Sequence, residues 1–152
     1  MVSRKSLYIF NLIFLRESNF FSNLNISVYT RSSFLPNKEL LKIMGESCVH
    51  IANSLSDGMP NALLEAMGMG AFPIQSNPGN VTEEVIIHGE NGFLIENPLN
   101  EIAIATLIKE AIVNKELRKS AQECNVALIQ QKYNRLTLQP KIVQLYNNIK
   151  LL

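Results

Sequence analysis

The sequence predicts an α/β fold, a Rossmann-like parallel sheet flanked by helices with a helical C-terminus. The chain has 152 residues, of which 47% are hydrophobic, so it is long enough for one domain with one core. From about residue 25, short apolar runs alternate with stretches of helical periodicity, and the last third is helical throughout. Alternating elements of this kind are typical of a parallel sheet covered on both faces.

Each element follows from a local pattern. Short apolar runs predict strands at 26–29, 48–52, 72–75 and 92–95, the last one after an Asn91-Gly92 turn. Apolar residues at helical spacing predict helices at 37–44, 61–69, 101–113, 117–132 and 136–150. Asn100 is the expected N-cap of the helix at 101–113. Asn80 with Glu83 three residues later has the spacing of a capping box for a short helix.

The N-terminal segment is the least interpretable part of the chain. An apolar run at 7–15 follows Arg4 and Lys5. It is too short to span a bilayer and no small-residue cleavage site follows it, so we interpret it as a strand or helix of the fold. We therefore assign residues 25–152 to one domain and leave 1–24 as an undetermined segment, a candidate for a truncated first unit.

Composition excludes several classes of function. The net charge is +1, and the Lys and Arg residues of the final helices are scattered, so we expect no nucleic-acid partner. The two cysteines are far apart, and His50 and His88 have no evident third ligand, so we expect no metal site. Both cysteines read as buried or half-buried apolar residues of a protein in a reducing compartment.

The stretch SLSDGMPNALLEAMGMG, residues 54–70, carries the most chemical information. It joins a predicted strand to a predicted helix, at the sheet edge where such folds bind ligands. Gly58 allows the chain to turn, and Pro60 suits the start of a helix. The helix should then begin near Asn61 with free backbone N–H groups on Asn61, Ala62 and Leu63. These groups and the helix dipole favour a phosphate.

Two acids in this stretch could bind sugar hydroxyls. Asp57 lies in the loop, and Glu65 lies about one turn inside the helix among apolar residues. Carboxylates accept hydrogen bonds from the vicinal hydroxyls of a sugar or ribose. The alternative interpretation is structural, with Asp57 as a turn residue and Glu65 as an acid favoured by the helix dipole.

The whole stretch resembles a signature of the retaining nucleotide-sugar glycosyltransferases with two Rossmann-like domains, the GT-B fold. Their C-terminal domain carries the pattern Ser-x-x-Glu-Gly-x-Pro-x-x-x-x-Glu-Ala-Met-x-x-Gly-x-Pro. Here residues 54–73 read SLSDGMPNALLEAMGMGAFP, with the final proline one residue later. The resemblance, to group 1 or family 4-like glycosyl transferases, extends from about Asn25 to the C-terminus.

The resemblance implies a donor-binding domain and a role for each matching residue. Asp57 would face the donor sugar near the reacting centre and would be the catalytic residue of the site. Glu65 would hold the ribose hydroxyls, and Arg31 would lie near the base. The backbone of Gly58, Met59, Pro60, Asn61, Ala62 and Leu63 would contact the sugar and diphosphate. No cofactor or metal is implied, since the nucleotide-diphosphate sugar is itself the donor substrate.

Three departures from the family pattern keep alternatives open. The first acid is Asp57 rather than Glu, and the Gly-Arg and Lys that grip the diphosphate have no counterpart. We also expect this chain to lack the N-terminal acceptor domain. The leading hypothesis is transfer of a sugar to the hydroxyl of a carbohydrate or lipid-linked acceptor, in polysaccharide or glycoconjugate biosynthesis. The alternatives are a truncated module without activity of its own and a sugar-nucleotide epimerase. We expect a cytoplasmic location without a transmembrane segment, with peripheral attachment to the inner membrane as an open alternative.

Overall fold

The structure, a computed structural model, describes residues 35–149 and the backbone of residues 6–9. Within these ranges four strands form one sheet in the order β1–β2–β3–β4, and every neighbouring pair is parallel. The predicted α/β class with a parallel sheet, flanking helices and a helical C-terminus is confirmed. The strands are β1 (Ser6–Ile9), β2 (Ser47–Ala52), β3 (Phe72–Ser76) and β4 (Phe93–Ile95), and the helices are α1 (Asn37–Glu46), α2 (Asn61–Gly68), α3 (Glu101–Val113), α4 (Lys115–Lys132) and α5 (Arg135–Ile149).

The predicted elements that fall on described residues are present, with ends displaced by one or two residues. Asn100 caps α3 as expected, because its side chain accepts a hydrogen bond from the Ala103 amide at 3.0 Å. β1 occupies the start of the N-terminal apolar run and pairs with β2. The predicted strand at 26–29 lies outside the described residues, and the division of the chain at residue 24 stays a prediction.

One face of the sheet packs against α3 and the start of α4. Alternate residues of β2, β3 and β4 point to this face, and the rings of Phe72 and Phe93 meet edge to face with centroids 5.0 Å apart. Ile104, Ile108 and Ala111 of α3 cover them. This cluster is the main core. It holds β2, β3 and β4, the three strands that end at the candidate site, in position relative to one another.

The other face is covered by α1, α2 and the second half of α4. Leu63 and Met67 of α2 pack with Val85 and Ile86 from the segment between β3 and β4. A smaller cluster of Met44, Ala66 and Ala71, with Leu40, Leu41 and Ala62 beside it, joins α1 to α2. The apolar residues of α2 are therefore core residues. The helix is held in position by the segment between β3 and β4 and by α1.

The predicted capping box at Asn80 is wrong. Asn80 has a φ of 61°, whereas an N-cap residue needs an extended backbone. The chain there forms two short 3₁₀ turns, Pro78–Asn80 and Thr82–Glu84. Asn77 satisfies the second turn, since its side-chain oxygen accepts from the Thr82 amide at 3.0 Å and its side-chain nitrogen donates to Glu83 at 2.5 Å.

A buried pair of asparagine side chains fastens the turn before β4 to α4. The Asn91 side-chain nitrogen donates to Asn125 Oδ1 at 2.9 Å, and Asn125 Nδ2 donates to the Asn91 carbonyl at 2.8 Å. Asn91 also accepts from the Ile87 amide at 2.7 Å. Both side chains are buried, so this pairing defines how α4 sits on the rest of the domain.

The C-terminal helix and one cysteine differ from the core elements. α5 contains Pro140 and has no buried residue. Cys124 on α4 is exposed, so its predicted burial is wrong, whereas Cys48 is partly buried. Of the two cysteines, only Cys48 on β2 has the expected role of a partly buried apolar residue.

Candidate functional site

The loop between β2 and α2, residues 53–60, begins where the carboxyl ends of three strands meet. Asn53 follows β2, and its side-chain nitrogen donates to the carbonyl of Pro98, beyond β4, at 3.2 Å. Ser76 ends β3, and its hydroxyl donates to the carbonyl of Ser54 at 2.8 Å. The loop is thus held at the strand-end edge of the sheet, where the sequence predicts it.

α2 begins without a side-chain cap. Pro60 precedes it with φ −73° and ψ 124°, and its carbonyl accepts from the amide of Leu63 at 3.1 Å. The prediction that the Leu63 amide is free is therefore wrong, because the first turn of the helix closes on Pro60. Among the described residues, none accepts a hydrogen bond from the amides of Asn61 or Ala62.

Two other helices of the domain, α3 and α4, show what a satisfied start looks like, whereas α1, like α2, follows a proline and has no side-chain cap among the described residues. The side chains of Asn100 and Asn114 cap α3 and α4, each accepting a backbone amide at 3.0 Å. α2 has no residue in this role. Its first amides and the positive end of its dipole therefore lie at the edge of the sheet with no acceptor from the described part of the chain, which suits an anionic ligand.

Asp57 and Glu65 lie on either side of this helix start. Asp57 is exposed in the loop, and its carboxylate has no partner among the described side chains. Glu65 is half-buried on α2 and accepts one hydrogen bond, from Asn37 Nδ2 at 3.4 Å. No lysine or arginine of the described part of the chain pairs with it, so most of its capacity to accept hydrogen bonds remains open.

The remaining predicted residues of the site divide by environment. Gly58 and Asn61 are exposed, and Pro60 is half-buried. Leu63 is fully buried, while Met59 packs beside it and Ala62 packs in the cluster that joins α1 to α2. Leu63, Met59 and Ala62 can therefore contact a ligand only through their backbone groups. Arg31 lies outside the described residues, and its predicted contact with the base stays a prediction.

Two polar side chains in the sheet were not singled out for the site from the sequence. His50 of β2 and Gln75 of β3 are 2% and 1% exposed, and none of their side-chain nitrogen and oxygen atoms has a hydrogen-bond partner among the described residues. The strand register pairs His50 with Pro73 and Ala52 with Gln75, so both point to the face under α2. Burial lowers the pKa of His50 from 6.5 to about 4. A polar residue inside an apolar strand run is the signal that could have drawn attention to each.

The described residues contain no group of three His, Cys, Asp or Glu side chains placed to hold a metal ion. Within the same part of the chain, no helix is both long enough and apolar enough to cross a membrane. The chemistry of the site, as far as the described residues define it, consists of amides, two carboxylates and one side-chain amide.

The chain is similar in sequence and in fold to known proteins. The family model described as glycosyl transferases group 1 matches residues 23–125. No curated protein sequence matches the chain. Among solved structures, HepE from Anabaena in complex with UDP is 20% identical with a TM-score of 0.64. Sucrose-phosphate synthase from Thermosynechococcus elongatus is 21% identical with a TM-score of 0.67.

The alignments include 70% and 74% of this chain but only 29% and 28% of those two proteins. A third structure is the C-terminal domain of a glycosyl transferase group 1 family protein, LpcC, from Francisella tularensis. It is 22% identical with a TM-score of 0.57, and the alignment covers 66% of this chain and 51% of that one. At these identities the likeness shows a shared fold.

Proposed function

Given that this chain belongs to the glycosyl transferases group 1 family and has the fold of GT-B C-terminal domains, we propose that it is the donor-binding domain of a retaining glycosyltransferase. It binds a nucleotide-diphosphate sugar at the edge of the sheet where β2, β3 and β4 end. The sugar passes to a hydroxyl of an acceptor, a carbohydrate or a lipid-linked sugar.

The uncapped start of α2 is the observation that carries this proposal. The amides of Asn61 and Ala62 have no acceptor among the described residues and lie at the positive end of the helix dipole. A diphosphate supplies the acceptor oxygens and the negative charge that this helix end lacks. Glu65 is half-buried, pairs with no lysine or arginine of the described residues, and supplies a carboxylate to which ribose hydroxyls can donate.

Catalysis in this proposal is electrostatic. Cleavage of the bond between the sugar and the diphosphate leaves positive charge on the sugar and negative charge on the departing group. The amides of α2 stabilise the diphosphate as that charge develops, and the Asp57 carboxylate stabilises the oxocarbenium-like sugar. The protein groups alone are proposed for both tasks, with no metal ion and no cofactor.

The acceptor is proposed to bind outside the described domain. In the GT-B arrangement the reaction takes place in the cleft between two domains, and a separate N-terminal domain contacts the acceptor. The chain spans only 28–29% of the length of the first two similar structures, so turnover is proposed for this domain together with an acceptor domain. The proposed setting is cytoplasmic synthesis of a polysaccharide or glycoconjugate.

Calorimetric titration of the full chain with UDP, GDP and their sugars tests the proposal directly. We expect saturable binding of at least one nucleoside diphosphate, and stronger binding than for the matching monophosphate because the second phosphate meets the α2 amides. Donor hydrolysis, measured in the same samples, distinguishes an active domain from one that only binds. Absence of binding to every nucleotide in the series would overturn the proposal.

Replacing Glu65 by alanine should weaken nucleotide binding. A hydrogen bond to a charged acceptor contributes about 1.5–3 kcal/mol, so we expect a rise of roughly 10- to 100-fold in Kd. Glu110 is an exposed acid on α3, across the sheet from α2, and Glu110→Ala serves as the matched control. A Glu65→Ala variant of wild-type stability that keeps wild-type affinity would show that this carboxylate does not hold the ribose.

Replacing Asp57 by glutamate should preserve or improve donor use. The family pattern has Glu at this position, and the longer side chain moves the carboxylate toward the sugar by about one bond length. Asp57 is exposed and has no side-chain partner within the described ranges, so we expect the fold to tolerate the change. The rate of donor hydrolysis or transfer is measured for Asp57→Glu and compared with the rate for Asp57→Ala. A total loss of nucleotide binding in Asp57→Glu would mean that the loop has another role.

A further inference from the structure

The last helix, α5, carries large apolar side chains that the rest of the domain does not cover. The structure describes all 15 residues of α5, and none of them is buried. α5 packs against α4, and Leu138 is half-buried, but every residue from 139 to 149 is exposed. Apolar side chains that are 48–67% exposed follow one another along this part of the helix: Ile142, Leu145, Tyr146 and Ile149. An exposed apolar patch of this kind marks an interaction surface.

The spacing of these residues indicates what covers them. Leu138, Ile142, Leu145 and Ile149 follow one another at intervals of four, three and four residues. This is the spacing of the a and d positions of a heptad repeat, which form one narrow stripe along a helix. Isoleucine occupies both a positions and leucine both d positions. That combination favours two helices that pair in parallel.

The other side of α5 favours a helix over a lipid surface as the partner. A helix that lies on a membrane has a polar face rich in Lys and Arg. The side of α5 opposite the stripe contains Pro140 and uncharged polar residues, namely Thr137, Gln144, Asn147 and Asn148. Pro140 therefore does not interrupt the stripe, and the composition of the polar side argues against membrane binding.

The stripe is complementary to a second copy of itself. In a parallel pair related by a twofold axis, each a residue meets the same residue of the second copy, and each d residue does likewise. Lys141 occupies the g position and Tyr146 the e position of the next heptad. Residues at these positions are neighbours across a parallel pair, so the ammonium group of Lys141 can pack over the ring of Tyr146 of the second copy.

We propose that α5 is a dimerisation helix, which pairs in parallel with α5 of a second copy of this chain through the stripe of Leu138, Ile142, Leu145 and Ile149. An isolated helix of this length is only marginally stable in water, but α5 is already formed against α4. Association therefore does not carry the cost of helix formation. The stripe is short, so the dimer is weak and depends on protein concentration. The proposal is independent of the donor site, since no residue of that site lies on α5.

Sedimentation equilibrium of the full chain, from about 10 µM to about 1 mM, covers the range expected for a small interface. We expect the average mass to rise from the 17.1 kDa of the monomer toward twice that value. Ile142→Lys places a charge in the middle of the stripe of both copies, so it should weaken association by roughly tenfold or more.

Val143→Lys is the matched control. Val143 is the next residue of α5 and is 51% exposed, against 48% for Ile142, but it lies outside the stripe. We expect this variant to associate as the wild type does. Because both positions are exposed, both variants should keep the wild-type Tm. An equal loss of association in the two variants would contradict the proposal.

Cysteine cross-linking tests the direction of the pairing. In a parallel dimer the two copies of residue 145 meet at a d position, so Leu145→Cys should form a disulfide-linked dimer on mild oxidation. Asn147→Cys, on the opposite side of the helix, should not. Both changes are made in a Cys124→Ser background, because Cys124 is exposed. A dimer in which Leu145→Cys fails to cross-link would overturn the parallel arrangement.

Two further outcomes would overturn the proposal altogether. A wild-type chain that stays monomeric over the whole concentration range would show that a second copy does not cover the stripe. Vesicles of phosphatidylcholine and phosphatidylglycerol that bind the monomeric wild type but not Ile142→Lys would identify a membrane as the partner. Nucleotide affinity should be the same in Ile142→Lys and wild type, so failure of the dimer leaves the proposed donor site unaffected.

Discussion

Burial of His50 in its neutral form should cost the domain about 3 kcal/mol of the free energy of unfolding as the pH falls from 6.5 to about 4. Burial lowers the pKa of this imidazole from 6.5 to about 4, and no residue of the described ranges forms a hydrogen bond with either ring nitrogen. In this pH window the unfolded chain binds the proton and the folded chain does not. Stability therefore rises with pH across the window, by about 1.4 kcal/mol for each pH unit between the two pKa values.

The contribution of His50 is measured as a difference between two proteins. Denaturant unfolding of the wild type and of His50→Leu at pH 7, 5.5 and 4 gives two curves of free energy against pH. Carboxylates titrate in both proteins, so their effect cancels in the difference. We expect the wild type to lose about 3 kcal/mol more than the variant between pH 7 and 4. Parallel curves would contradict the prediction.

The same burial explains why leucine should be tolerated at position 50 at neutral pH. An unpaired polar group in the interior costs about 1–3 kcal/mol, and leucine removes two unpaired nitrogens while filling a similar volume. Gln75 on the neighbouring strand is in the same situation, because neither polar atom of its side chain has a partner in the described part of the chain. His50 and Gln75 together place polar side chains in the buried face of the sheet under α2.

Much of the fold could be predicted because its signals are local. β2 and β3 are apolar runs bounded by polar or small residues, and α3 begins directly after a capping asparagine. Each signal depends on residues within one or two turns of one another. The loop of residues 53–60 could be placed for a related reason, since consecutive strands and helices fix which edge of a parallel sheet carries it.

Local patterns failed where two short-range alternatives compete. Asn80 with Glu83 has the spacing of a capping box, but Gly79 and Asn80 both take positive φ values of 68° and 61°. Asn77, one turn earlier, then caps the second 3₁₀ turn. At α2 the error was smaller, because the carbonyl of Pro60 reaches the Leu63 amide as soon as the first turn closes.

Long-range pairings could not be predicted from spacing. Asn37 and Glu65 meet because α1 packs on α2, and Asn91 meets Asn125 because α4 folds back over the turn before β4. Neither pair has a periodicity that relates its members. The sequence therefore predicted the carboxylate of the site, whereas its neighbouring amide required the tertiary structure.

Asn125→Ala should destabilise the domain by about 3 kcal/mol. Asn125 is fully buried, and both ends of its side-chain amide bond to Asn91. Alanine removes two buried hydrogen bonds, strands the Asn91 carbonyl and leaves a small cavity, and each of the first two losses costs about 1–3 kcal/mol. Denaturant unfolding at pH 7 measures the change. Cys124→Ala is the control, since Cys124 is the exposed preceding residue of α4, and an equal loss in both variants would contradict the prediction.

This destabilisation should be separable from ligand binding. α4 packs on α2 through Leu128 and Ile129, which contact the cluster of Leu63 and Met67, so the Asn91–Asn125 pair supports the helix that carries the site. The pair itself lies between α4 and the turn before β4, and it touches neither Glu65 nor the amides of Asn61 and Ala62. Below its unfolding transition the Asn125→Ala variant should therefore keep wild-type nucleotide affinity, whereas Glu65→Ala should lose affinity and keep its stability.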